Sequence, residues 1–158
     1  MRHSIDSRVR RLDAFFQRAR NPDLTDEIRS DLARLGVVLV CGFVERCVEV
    51  VILDRLSSRA HPRVNSFIKS HFRRGTNYDC EAICQLLERF DLNWSRRLRG
   101  ALASRNDIAE ALSSAYTLRN SIAHGGDQHR GLKGVEDLYI DAKQLVEAMI
   151  LATRDRPG

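Results

Sequence analysis

At 158 residues the chain has room for one domain of ordinary size, and 43% hydrophobic with 30% charged residues supports a buried core and excludes a disordered chain. Three prolines and nine glycines are too few for the tight turns of an all-β sandwich, so the composition calls for long helices. The formal charge is +5 and 23 of the 26 basic residues are arginine, a balance that fits a phosphate-bearing partner as well as an arginine-biased genome.

Hydrophobic spacing predicts a first helix from about Asp6 to Arg20, with Val9, Leu12, Phe15 and Phe16 on one stripe, broken by Asn21-Pro22. Thr25 or Pro22 opens a long second helix that ends near Ser58, before His61-Pro62. Short helices follow over Arg63 to Phe72 and Asp79 to Phe90, separated by the basic loop Arg73-Arg74-Gly75-Thr76-Asn77. An irregular or helical stretch then carries Trp94, which reads as a core or interface anchor. A further helix runs from about Ser104, with Asp107 as the acid of a capping box, to His124, and Gly125-Gly126 stops it. The last helix covers roughly Val135 to Thr153, with Leu138, Ala142, Leu145, Val146 and Met149 facing inward. The expected fold is all-α: an up-and-down bundle of four main helices, with short helices inserted between the second and third, forming a single helical domain over residues 1–158.

Leu35 to Leu53 is apolar enough to be weighed as a membrane span, but Glu45, Arg46 and Glu49 interrupt it. Each would cost about 2.5–3.5 kcal/mol in a bilayer, so no membrane is expected. A helix apolar nearly all round belongs at the centre of the fold, or faces the core on one side and a partner subunit on the other. Cys41, Cys47, Cys80 and Cys84 read as reduced, buried thiols, since no second clustered pair completes a metal site beside Cys80 and Cys84. With a charged rather than apolar start to the chain, the protein is placed in the cytoplasm.

The most informative segment is Arg119-Asn120-Ser121-Ile122-Ala123-His124-Gly125-Gly126. At about 100° per residue, Ile108, Ala111, Leu112, Ala115, Leu118 and Ile122 fall within an arc of roughly 120°, and Arg119 falls inside the same arc. A guanidinium aimed at the core must be paired or must line a cleft. His124 lies about 140° from Arg119 on an unbroken helix, so convergence needs the helix to loosen at Gly125-Gly126. Histidine titrates in the range that general acid–base work requires, and Asn120 is placed to orient either neighbour. A capping histidine beside a salt-bridged arginine is the purely structural alternative. Arg55 with His61 has a similar spacing but no apolar helical stripe around it.

The string RNSIAHGG near the end of the third main helix resembles the Arg-x4–6-His signature of the HEPN superfamily. The apolar second helix with its Glu45-Arg46 pair is similar to the RiboL-PSP-like branch. The resemblance spans roughly Val9 to Leu151. It implies a metal-independent endoribonuclease that acts as a homodimer, with two Arg/His motifs meeting in one composite cleft. Arg119 and His124 would be the catalytic pair with Asn120 in support, no cofactor or metal would be needed, and the products would carry 2′,3′-cyclic phosphate and 5′-hydroxyl ends. A toxin–antitoxin or antiphage setting follows from the same resemblance, with an antitoxin or defence-system protein as a further partner. The tyrosine that such toxins often carry two positions after the histidine is replaced here by Gly126, so its modification is not expected. The alternative within the same resemblance is a non-catalytic HEPN interaction, nucleotide-binding or RNA-binding module.

Glu45 and Glu49 are four apart on the second helix and share a face with Cys41 and Ile52. Glu45 is the preferred carboxylate to support Arg119, against an ordinary ion pair with Arg46 or another arginine. Arg73, Arg74, Arg96, Arg97 and Arg99 are candidate contacts for RNA phosphates, or else solvated basic segments.

Overall fold

The computed structural model describes residues 1–57, 60–72, 76–126 and 130–154. Seven helices and no strand occur among them: α1 (Arg2–Ala19), α2 (Asp26–Leu56), α3 (Pro62–His71), α4 (Cys80–Glu88), α5 (Leu92–Leu102), α6 (Asn106–Ala123) and α7 (Leu132–Ala152). Four long helices, α1, α2, α6 and α7, form the bundle, and the three short ones lie between α2 and α6, as the hydrophobic pattern predicts. No helix among the described residues is long and apolar enough to cross a membrane.

Helix α2 is the axis of the bundle, and α7 is its principal neighbour. Val37, Val40, Val44, Cys47, Val48, Val51 and Ile52 are fully buried on one side of α2, opposite Val135, Leu138, Ala142, Leu145 and Met149 of α7. The Val135 side chain packs onto the α2 backbone at Gly36, where an added Cβ would stand 3.0 Å from Val135 Cγ1. Helix α6 packs on both, α1 covers α2, and the α4–α5 pair closes the bundle against α6 and α7. Trp94 of α5 is buried in this core.

Helix starts follow local chemistry with one correction. Thr25 caps α2, its hydroxyl accepting from the Ile28 N–H at 3.3 Å, with Asp26 and Glu27 in the first turn. Pro62 opens α3 after His61, whose Nδ1 accepts from the Arg63 N–H. At α6, Ser104 and Asp107 do not form the expected capping box. Arg105 occupies the cap, and its guanidinium takes the Asp107 carboxylate (Nη2–Oδ2, 2.8 Å) and the Gln144 side chain. A charge-assisted fork outcompetes the weaker reach of a carboxylate to a main-chain N–H. Helix α1 begins a turn earlier than its periodicity suggests, because Ile5 is buried and the Met1 amine pairs with Asp54 at 3.2 Å.

Candidate functional site

The end of α6 is shaped by its two glycines. Gly125 adopts φ +73°, the left-handed conformation that glycine enters without steric cost, and its N–H donates to the Ile122 carbonyl. The Gly126 N–H reaches back to the Ser121 carbonyl at 2.8 Å, completing the paired C-terminal bonds of a Schellman motif. A Cβ at Gly126 would collide with Ser121 Oγ at 2.4 Å. Residue 124 is thereby fixed as the C-cap, with φ −99° and ψ 15°. Its N–H is bonded to the Asn120 and Ser121 carbonyls, and its imidazole is exposed with no hydrogen bond among the described residues. Gly125→Ala is expected to cost about 1–2 kcal/mol by forcing a side chain into the left-handed region. A thermal melt checks this, and an unchanged midpoint would mean that the terminus refolds around alanine.

One turn and a residue before the cap, Arg119 turns toward α2. Its Nη2 donates to Glu45 Oε1 at 2.8 Å, an ion pair joining helices 74 residues apart in sequence. The two side chains keep 26% and 27% of their surface, so the pair lines an open wall rather than the sealed core. The Arg119 ζ-carbon lies 5.8 Å from the centre of the Tyr116 ring, a cation–π contact, and the Cys41 thiol lies close enough to feel the guanidinium charge. Burial pushes the Cys41 thiol up to about 12 against the opposing pull of Arg119, so it stays neutral and Glu45 is the charge that balances the arginine. Burial likewise raises the Tyr116 phenol well above its ordinary range.

Of the two candidate carboxylates, Glu45 takes Arg119 and Glu49 takes Arg46 (2.7 Å). Among the described residues no contact joins Arg119 to His124. The regular helix keeps them on different sides, and Asn120, one turn before His124, shares the histidine's side. Tyr116 and Cys41 were not singled out as site residues by the sequence. The available signal was position, since Tyr116 precedes Arg119 by three and Cys41 precedes Glu45 by four.

The basic candidates divide. Arg99 grips the Glu81 carboxylate with both arms of its guanidinium, and Arg97 donates to the Asn93 and Arg154 carbonyls. Arg96 is exposed and makes no side-chain hydrogen bond among the described residues, whereas Arg73 and Arg74 lie outside them. The four cysteines are buried free thiols, and no three His, Cys, Asp or Glu side chains among the described residues gather as a metal-holding group.

An all-α bundle whose third long helix ends in an exposed histidine, one turn beyond an arginine held by a carboxylate of the second, defines the class of molecule. The sequence profile described as RiboL-PSP-HEPN matches residues 3–153, and the chain belongs to that family. No curated protein and no solved structure matches the chain.

Proposed function

We propose that the chain is a metal-independent endoribonuclease working as a homodimer. Family membership supports a nuclease-type module in general. The observation that carries the finer reading is the end of α6, where Glu45 holds Arg119 in an open wall while the Schellman turn presents His124 to solvent. In this reading the substrate's 2′-oxygen attacks the adjacent phosphorus, the O2′–P bond forms and the P–O5′ bond breaks. His124 accepts the 2′-hydroxyl proton or supplies one to the departing 5′-oxygen, and two copies in one cleft provide both roles. Arg119 uses its remaining N–H groups on the charge developing on the phosphoryl oxygens. Asn120 orients the imidazole. The cytoplasm, a toxin or antiphage setting and a restraining partner protein belong to the same proposal.

The homodimer has a surface on α2. Ile28, Leu35, Val38 and Leu39 are 36–47% exposed on one side of that helix, and Gly42 continues the stripe with open space where a Cβ would be. A glycine inside a helix costs about 1 kcal/mol, and no described atom lies within 4 Å of where a Cβ would stand on this one. In this reading the close approach of a second backbone accounts for it, at a place where the stripe continues to Arg46, next to Glu45. Leu39→Glu is expected to halve the mass seen by light scattering to 18.0 kDa and to abolish cleavage with it. A charged variant as large as the wild type would move the interface elsewhere.

The function itself is tested by incubating the protein with single-stranded RNA in EDTA and identifying the product ends. Cyclic-phosphate and 5′-hydroxyl ends are the expected result. One observation favours a second reading, a non-catalytic module: within one chain Arg119 is already occupied by Glu45 and does not touch His124. Intact dimers that bind RNA without cutting it would select that reading.

A further inference from the structure

Between Asp54 and Asp79 the chain has no acidic residue and six arginines or lysines. Helix α3 lies inside this stretch. Ile68 and Phe72 pack it onto the core, and the Phe72 ring rests 6.2 Å from that of buried Tyr78. Phe67, about 100° around the helix from Ile68, is turned the other way and is 74% exposed, the largest exposure of any large apolar side chain described. Arg63 one turn before it and His71 one turn after it are exposed on the same face, with Ser66 and Ser70 beside them. The Arg63 guanidinium makes no hydrogen bond or ion pair among the described residues.

We propose that this face of α3 is a platform for single-stranded RNA, with Phe67 stacking on a base and Arg63 engaging the flanking phosphate. The inference rests on the reading of the chain as an RNA-acting protein and adds a second contact point outside the Arg119–His124 site. An aromatic face with a cation beside it binds unpaired bases whatever their sequence, and a segment with six basic and no acidic residues draws the backbone to it. A membrane surface fits less well, because the face offers one large apolar side chain and Val64 rather than a broad apolar stripe. The core-facing side of α3 reaches toward the other site: Phe72 contacts Tyr78, whose phenol is raised by burial, with the Glu45 and Glu49 charges adding to the effect.

The test uses the full chain and a fluorescent single-stranded 2′-O-methyl RNA, which lacks the attacking hydroxyl and is not cut. Phe67→Ala is expected to weaken binding about tenfold. Phe67→Trp should restore it and show quenching of a new exposed tryptophan, since Trp94 is buried. Arg63→Glu should weaken binding and flatten its salt dependence. Wild-type affinity in both Phe67→Ala and Arg63→Glu overturns the platform. So does a smaller mass for Phe67→Ala in light scattering, which would assign the face to a second copy, or binding of the wild type to anionic phosphatidylserine vesicles in preference to RNA. Phe67-dependent binding by a chain that leaves ordinary RNA uncut sinks the nuclease reading alone. Cleavage with an unchanged KM in Phe67→Ala sinks the platform alone.

Discussion

His124→Ala is expected to lower the rate of RNA cleavage by about 10²–10⁴-fold, the range that positioned general acid–base groups contribute. The same change should leave folding almost untouched. The imidazole is exposed and unbonded among the described residues, and the C-cap role of residue 124 runs through its main-chain N–H to the Asn120 and Ser121 carbonyls. Alanine keeps that N–H, and the turn itself is held by Gly125 and Gly126. Activity and stability therefore separate at this position, and the measurement is a single-turnover cleavage assay beside a thermal melt. Cleavage by His124→Ala within a fewfold of the wild type would remove the histidine from the chemistry.

Arg119→Ala should lose activity and stability together. Removing a donor aimed at developing phosphoryl charge costs about 10²–10³-fold in kcat. It also leaves the Glu45 carboxylate, about a quarter exposed, without its partner, at a cost of about 1–3 kcal/mol, intermediate between exposed and buried pairs. Glu45→Gln tells the two effects apart. In the double variant the orphaned carboxylate is gone, so part of the stability should return while cleavage stays lost. Full activity in Arg119→Ala would assign the arginine to holding α6 against α2 and nothing more.

The helices, their order and the stop at Gly125-Gly126 were legible because each depends on residues within a turn of one another. Apolar side chains repeat every three or four positions, Thr25 meets the Ile28 N–H, and a glycine enters the left-handed region where α6 ends. The inward lean of Arg119 was legible too, from its place on the apolar arc of its own helix. The failure at Ser104 and Asp107 came from a neighbour that the local pattern did not weigh, the Arg105 guanidinium, which is also held by Gln144 from α7.

By itself, then, the sequence determined a four-helix bundle with inserted short helices, an arginine that needed a partner, and a histidine at a helix end. The tertiary structure decided which partner the arginine received. Glu45 and Glu49 differ by one helical turn, about 6 Å along the axis, and only the offset between α2 and α6 puts Glu45 opposite Arg119 and leaves Glu49 to Arg46. The same packing brought Tyr116 and Cys41 to the guanidinium, tied Arg97 and Arg99 to neighbouring groups, and left Phe67 outside the core. Those outcomes follow from distances between helices far apart in the chain, which hydrophobic periodicity does not encode.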